Sequence, residues 1–197
     1  MEIAFYVDDG DILDLRVAKI LEKYGFKGIF YIAPFYTKVN MMSIRQIQEL
    51  SKKHEIGGHT LNHIPLSKLS SEKQFKEILE GKKELESIIG KKIKKFAYPR
   101  GHYTKEVMEN VEKAGFKEAR TMKQYQTRSD LYGKFDKPVT IHIYPEKYID
   151  WKNYYFKAKE ENSYFGVVCH GSELQRFNLW NILEEMLKFI KEDFKKI

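Results

Sequence analysis

Short apolar runs alternate with amphipathic segments along the whole chain. The runs of strand length fall at residues 3–7, 27–32, 55–58, 93–97, 118–122, 139–144 and 165–169. Between them, apolar residues recur every three or four positions, which is the spacing of one helix face. This alternation predicts an α/β protein whose parallel sheet is covered by helices. About seven strands fit, fewer than a full eightfold barrel usually needs.

The predicted helices are bounded by ordinary start and stop residues. Gly25 and Gly90 follow the first and the longest helix, as glycine often does. Ser43 and Gln46 have the spacing of a capping box, and the Thr104 hydroxyl can cap the next helix. These signals place helices at about residues 13–24, 43–50, 71–89, 104–114, 149–158 and 179–190. Residues 124–137 are polar and irregular.

Polar side chains follow several of the predicted strands directly. Asp8 and Asp9 end the first strand, His59 follows the third, Arg100 the fourth and His170 the last. In parallel α/β folds, ligands bind beyond the carboxyl ends of the strands. Unrelated polar residues would not be expected to fall on one rim so consistently. We therefore predict a functional site at this edge of the sheet.

The types of these residues indicate a metal-dependent hydrolase. His59 and His63 are four residues apart and would share a face on one helical turn. Two imidazoles and one carboxylate from Asp8-Asp9 leave positions open for water and substrate, as a catalytic metal site requires. The second carboxylate can act as a base, and His170 can protonate a departing nitrogen. Taken singly, the two histidines could be unrelated surface groups, and Asp-Asp-Gly is also common turn chemistry.

Together these motifs resemble the polysaccharide deacetylases with a NodB-type domain, carbohydrate esterase family 4. The stretch FYVDDG resembles the first motif of that family, which implies Asp8 as base and Asp9 as metal ligand. The stretch from His59 to His63 is similar to the second motif, which implies these two histidines as the other ligands. The family fold is a distorted (β/α) barrel, consistent with about seven parallel strands.

The later motifs extend the resemblance over essentially the whole chain. Residues 96–101 resemble the third motif, in which the residue before the glycine, here Arg100, offers its backbone N–H to the oxyanion. The same loop carries Tyr98 and His102, which we expect to contact the substrate. Val168-Cys169-His170 looks like the last motif and implies His170 as general acid. We expect residues 1–197 to form one catalytic domain of this kind.

Two features depart from the family pattern. Ala97 stands where many members carry an arginine that orients the base, and Arg100 stands where an aromatic is usual. Arg100 could pair with Asp8 or with an anionic substrate, or it could be an ordinary loop arginine. The fourth motif, an aspartate with a tryptophan nearby, is not evident, although Asp150-Trp151 has the right residue types. His142 lies on a predicted strand and could face the rim or be a core histidine.

Composition excludes several classes of protein. Hydrophobic residues make up 42% and charged residues 32%, as in an ordinary soluble domain. The single cysteine, Cys169, rules out an intrachain disulfide. No signal peptide or membrane-spanning run is evident, so we expect a cytoplasmic protein. The net charge of +7 comes from lysines dispersed among acidic residues, without a nucleic-acid motif. The positive net charge is also compatible with an anionic substrate.

The leading hypothesis is a metal-dependent hydrolase that removes an N-acetyl or O-acetyl group from a sugar or polysaccharide. Zinc is the default ion for one aspartate and two histidines, and iron, cobalt or nickel would also be accepted. One alternative is an intracellular hydrolase of a cyclic or small metabolic amide in the same superfamily. Another is a non-catalytic module that binds polyanions. The sequence does not specify the substrate, the metal or the oligomeric state.

Overall fold

Seven parallel strands form one sheet in the computed structural model, which describes residues 1–194. The strands run in the order β5-β4-β3-β2-β1-β7-β6, and the sheet curls into a barrel-like form with helices around it. Their bounds are β1 Glu2–Asp9, β2 Gly28–Ile32, β3 Glu55–Gly58, β4 Lys95–Ala97, β5 Glu118–Arg120, β6 Ile141–His142 and β7 Tyr164–Cys169. The predicted α/β fold with about seven parallel strands is confirmed.

An irregular segment, residues 134–143, bridges the two edges of the sheet. Thr121, just beyond β5, donates its backbone N–H to the carbonyl of Lys137 at 2.8 Å. A few residues later, Thr140 donates its N–H to the carbonyl of Gly166 in β7, also at 2.8 Å. One stretch of chain therefore closes the gap that an eighth strand would fill. The predicted strand at 139–144 is reduced by this arrangement to the two residues of β6.

The helices follow the predicted boundary signals closely. Ser43 and Gln46 form the expected capping box, the Thr104 hydroxyl accepts from the N–H of Val107, and Gly25 and Gly90 end their helices in left-handed conformation. The helices are α1 Asp14–Tyr24, α2 Ile44–Leu50, α3 Ser71–Ile89, α4 Lys105–Lys113, α5 Trp151–Glu160, α6 Gly171–Arg176 and α7 Trp180–Phe194. Short 3-10 turns occupy Leu66–Lys68, Pro99–Gly101 and Ser129–Leu131. Helix α6 was not predicted. Within residues 1–194, no helix has the length and apolarity needed to cross a membrane.

Side chains on the two faces of the sheet enter separate cores. The larger core lies between the strands and the helices and includes Phe5 and Val7 of β1. The smaller core fills the barrel interior, where the buried Tyr164 hydroxyl donates to the Tyr6 hydroxyl at 2.8 Å. Because alternate residues of a strand face opposite sides, Asp8 falls on the interior side together with Tyr6. The interior of the barrel thus leads directly to the rim where the predicted site lies.

Candidate active site

The predicted rim residues share one cleft. Asp8, Asp9, His59, His63 and His170 all line a cavity of about 430 Å³ at the carboxyl ends of the strands. They come from the ends of β1, β3 and β7 and from the loop that follows β3. The parallel strands therefore bring these residues together at one rim, as predicted, although they are far apart along the chain.

Asp9 and the two histidines form a cluster suited to one metal ion. Oδ1 of Asp9 lies 3.3 Å from Nε2 of His63 and 3.7 Å from Nε2 of His59. This carboxylate oxygen is buried and has no hydrogen-bond partner among the described residues. Burial also raises the pKa of Asp9. A buried acceptor is costly without a partner, and a cation between the three atoms would provide one.

The protonation of the histidines also fits a metal. Nδ1 of His59 donates to the backbone carbonyl of Ala97 at 2.7 Å, so Nε2 keeps its lone pair and faces Asp9. Burial lowers the pKa of His59, and the nearby carboxylates offset this only in part. Burial and the neighbouring His59 lower the pKa of His63 to about 3. Both imidazoles are therefore neutral at pH 7, as ligation requires.

The loop that carries the histidines is not helical, so the expectation that they share the face of a helical turn is wrong. Thr60 has φ 66° and His63 has φ 57°, and these left-handed residues turn both rings into the cleft. Helix α3 supports the loop. A Cβ on Gly81 would lie 2.5 Å from the backbone of Thr60, and the Asn62 side chain and N–H both donate to the carboxylate of Glu77.

Adjacent aspartates reach the same cleft because the backbone changes direction at Asp9, the last residue of β1. Side chains alternate along β1, so a continuing strand would place Asp8 and Asp9 on opposite faces. Asp9 instead has φ 85°, a left-handed conformation that is unusual for a residue other than glycine. This change of backbone direction turns its carboxylate towards the histidines. Strained residues of this kind are often found at functional sites.

Asp8 forms a buried ion pair with Arg120, which the sequence analysis did not single out. The Arg120 guanidinium contacts Oδ1 of Asp8 and lies between the rings of Tyr6 and Tyr31, 5.2 and 4.8 Å from their centroids. Burial by itself would raise the pKa of Asp8, but the guanidinium outweighs it and lowers the pKa to about 2. Arg120, rather than Arg100, is therefore the cation beside this carboxylate.

The position of Arg120 explains the departure at Ala97. These two residues are register partners on the neighbouring strands β4 and β5, and Ala97 is fully buried. Paired residues in parallel strands face the same side of the sheet, so the small alanine leaves room for the arginine beside it. One signal was available in the sequence: Arg120 lies inside the predicted strand at residues 118–122, where an arginine is unusual.

His170 is the second proton-handling group in the cleft. Its Nδ1 lies 2.8 Å from Oε2 of Glu173, in an ion pair whose angles do not suit a hydrogen bond. Its Nε2 lies 3.9 Å from Oδ2 of Asp8. Burial would lower the pKa of His170, but Glu173 and the two aspartates outweigh it and raise the pKa to about 10. The imidazole is therefore a cation at neutral pH.

Glu173 links His170 to a second histidine. Nε2 of His142 lies 2.8 Å from the same Oε2 atom, and burial lowers the pKa of His142. His142 thus faces the cleft and is not an unrelated core histidine. Asp150 and Trp151 do not line the cleft with His170: Asp150 is exposed, and Trp151, on α5, packs against Phe189 of α7. Glu173 was missed because helix α6, on which it lies, was not predicted.

The three predicted substrate contacts have different surroundings. Arg100 is exposed and lines the cleft. Tyr98 also lines it, but this side chain is buried and its hydroxyl donates to the carbonyl of Phe135 at 2.8 Å. His102 is exposed and does not line the cleft. A role for these residues in substrate binding stays a prediction.

Comparisons with known sequences point to one family. Residues 2–119 match the family model described as "Polysaccharide deacetylase". The peptidoglycan-N-acetylglucosamine deacetylase of Bacillus cereus is 32% identical over 116 residues, covering 58% of this chain and 53% of that protein. The putative polysaccharide deacetylase YxkH of Bacillus subtilis is 28% identical over 99 residues, covering 49% and 36%. The chain spans about half or less of the length of these relatives.

Solved structures with low sequence identity share the fold. The Streptococcus pyogenes deacetylase PplD in complex with acetate aligns with a TM-score of 0.65 at 20% identity, over 70% of this chain and 62% of that one. BA3943 of Bacillus anthracis, described as a CE4 family pseudoenzyme, aligns with a TM-score of 0.67 at 18% identity, over 97% and 60%. A mutant of BA3943 is described as having restored enzymatic activity.

Proposed function

Because this chain belongs to the polysaccharide deacetylase family, we propose that it is a metal-dependent hydrolase that removes the acetyl group from an N-acetylated sugar. Family membership alone does not carry activity, since one structural neighbour is described as a pseudoenzyme. The observation that supports activity is that one cleft holds a candidate ligand set with two neutral imidazoles, the carboxylate of Asp8 paired with Arg120, and the cationic imidazole of His170. We further propose that residues 1–197 form one catalytic domain.

Asp9, His59 and His63 would hold the divalent ion. One oxygen and two nitrogen donors suit zinc best, and they also accept iron, cobalt or nickel. When bound, such an ion acts as a Lewis acid on an acyl oxygen and lowers the pKa of water. The protein contributes the orientation of the ligands, through the contact of His59 with Ala97 and the support of the loop by α3.

Asp8 is the proposed base. Its carboxylate is ionised at neutral pH and accepts the proton of the attacking water. Arg120 keeps that carboxylate charged and fixes its direction, the role for which many members of the family use an arginine at the position of Ala97. The backbone N–H of Arg100 is the proposed donor to the oxyanion that develops on the acetyl group.

His170 is the proposed acid. Its cationic imidazole, which lies in the same cleft as Asp8, donates its proton to the departing sugar nitrogen, which would otherwise leave as an unstable anion. Glu173 acts through His170 as a positioning residue, since it holds the ring and favours its charged form. His142 in turn holds the Glu173 carboxylate.

The proposal is tested by measuring bound metal and activity in parallel. We expect Asp9→Ala, His59→Ala and His63→Ala to lose both the metal and the release of acetate from N-acetylated sugars. His170→Ala should keep the metal and lose activity. His102→Ala, which removes an exposed histidine outside the cleft, should keep the metal and serves as the control.

Two outcomes would contradict this proposal. Stoichiometric metal retained in all three ligand variants, measured by elemental analysis, would refute the ligand assignment. Wild-type protein that binds no metal after reconstitution with zinc, yet hydrolyses small cyclic amides, would favour the metal-free amide hydrolase instead.

A further inference from the structure

Two cations line the cleft without a carboxylate partner. Arg100 is exposed and Lys147 is half-buried, and within residues 1–194 neither forms an ion pair. The other cleft cations are paired, Arg120 with Asp8 and His170 with Glu173. Among the described residues that line the cleft, Arg100 and Lys147 are therefore the cationic side chains that have neither an ion-pair partner nor a side-chain role in the proposed reaction.

Arg100 is held at the cleft by an unusual backbone. Its φ and ψ are 59° and 12°, which residues other than glycine adopt rarely. The next residue, Gly101, has φ 71°, and a Cβ there would lie 2.6 Å from Cβ of Met122. Two consecutive left-handed residues packed against Met122 fix the direction in which the Arg100 side chain leaves the loop.

The two cations belong to different walls of the cleft. Arg100 follows β4, the strand next to β3, and the loop after β3 carries the ligand histidines, so Arg100 stands on the wall of the ligand cluster. Its charge also helps to lower the pKa of His63. Lys147 lies over the ring of Tyr144, 5.0 Å from its centroid, and its charge acts on His142. Lys147 therefore stands on the wall of His170, where the leaving sugar is proposed to lie.

We propose that the cleft is built for an acetamido sugar that carries an anionic substituent, a carboxylate or a phosphate, bound by Lys147 on the acid wall and by Arg100 on the ligand wall. This inference rests on the proposed deacetylase function and specifies its substrate class. A neutral sugar gives neither side chain a partner of opposite charge. Guanidinium groups pair with carboxylates and phosphates through two parallel hydrogen bonds, and exclusion of water by the substrate strengthens such contacts.

Gln124 adds a neutral group to the same cleft. Its half-buried side chain lines the cavity, and its buried Oε1 atom has no hydrogen-bond partner among the described residues. An amide oxygen accepts a hydrogen bond from a hydroxyl or an N–H group, both of which an acetamido sugar provides. The cleft thus offers both cations for the substituent and an acceptor for the sugar itself.

The test compares three substrates that differ only in charge: an N-acetylglucosamine oligomer, the same oligomer with a carboxyalkyl ether, and the same oligomer with a phosphate ester. The measured quantity is the ratio of kcat/KM for each anionic sugar to that for the neutral one. We expect wild type to favour one anionic form by about tenfold, corresponding to one charge-assisted contact. Which of the two is favoured distinguishes carboxylate from phosphate.

Variants then locate the contact. Arg100→Gln and Lys147→Gln should each reduce the ratio several-fold, mainly through KM, whereas Arg100→Lys should retain part of it because the charge remains. Raising the salt concentration should reduce the ratio, since it screens partly exposed charges. Arg45→Gln removes one charge from an exposed position on α2 outside the cleft and should leave the ratio unchanged.

The outcomes separate the two proposals. Turnover of the neutral oligomer with no preference for an anionic form, or a preference that survives both glutamine variants, overturns the anionic substrate class and leaves the deacetylase assignment in place. Absence of turnover of all three substrates by metal-loaded wild type overturns the proposed function, and this inference with it.

Discussion

Replacing Arg120 by methionine should destabilise the fold and disable the proposed base together. Methionine fills a similar volume without charge, so Asp8 becomes a buried carboxylate that has lost its partner. The pKa of Asp8 is lowered from the ordinary 3.8 to about 2 in the folded protein, which corresponds to about 2 kcal/mol of stabilisation at neutral pH. Removal of one member of a buried pair usually costs more, about 3–5 kcal/mol.

The pH dependence of this loss has a definite sign. Because the folded-state pKa of Asp8 lies below its unfolded value, the stabilisation is complete above about pH 4 and disappears as the pH falls towards 2. In Arg120→Met, the largest group opposing burial is gone and only His59 and His170 still favour the charged form, so the pKa of Asp8 rises. The deficit of the variant is therefore largest near pH 7 and shrinks in acid, and the acid limb of kcat/KM moves to higher pH.

The assays are urea unfolding and thermal unfolding at pH 7 and pH 4 with a chelator present, so that loss of metal does not contribute. We expect Tm at pH 7 to fall by roughly 10 °C for a protein of this size. The double variant Asp8→Asn/Arg120→Met should recover part of the stability, because neither charge is then left alone. Arg128→Met is the matched control: its pair with Asp130 is exposed and should contribute less than about 1 kcal/mol.

A clear result would refute this reasoning. Suppose that the free energy of unfolding of Arg120→Met lay within about 1 kcal/mol of the wild-type value at pH 7, and that the double variant were no more stable than the single one. The ion pair would then not be what holds Asp8 in place. An unchanged acid limb of kcat/KM in the same variant would separately contradict the role of Arg120 in setting the charge of the base.

The remaining predictions concern the acid, the loop and the metal. In Glu173→Gln, the carboxylate that most favours the imidazolium is lost and the pKa of His170 falls from about 10, so the alkaline limb of kcat should move to lower pH; an unmoved limb would contradict the positioning role. Gly81→Ala should weaken metal binding about tenfold in a chelator competition, because the new Cβ displaces the histidine loop, while Lys83→Ala on the same helix should not. Zinc at about a hundred times its Kd should stabilise wild type by roughly 3 kcal/mol and leave His63→Ala unaffected.

Much of the fold was predictable because local signals and hydrophobic periodicity agree with the final structure. The bounds of α3 and β3 match their predicted ranges, since a long amphipathic run ended by glycine has few alternatives. Ile44 shows the limit of this reasoning: it continues the apolar face of α2 yet is 59% exposed. Periodicity identifies a face and does not say how far the neighbouring element covers it.

The residues of the candidate site that belong to a sequence motif could be predicted. Their ion-pair partners, which lie outside the motifs, could not. Asp9 and His59 follow recognisable strand ends, so topology alone brings them together. Arg120 is 112 residues from Asp8, and nothing local marks their contact. The proximity of Glu173 to His170 depends on a six-residue helix that is too short to give a periodic signal.

The register pairing of Ala97 with Arg120 has a consequence for how relatives are judged. Paired positions on neighbouring parallel strands lie about 4.8 Å apart and face the same side, a distance that an arginine side chain spans easily. The guanidinium can therefore reach the same point of the barrel from either strand. A column-by-column alignment records a lost arginine at Ala97, although the charge beside Asp8 is still present. When an arginine is missing at one position of a strand, the neighbouring strand should be searched for a replacement. What matters for the carboxylate is where the positive charge lies in space, not which chain position supplies it.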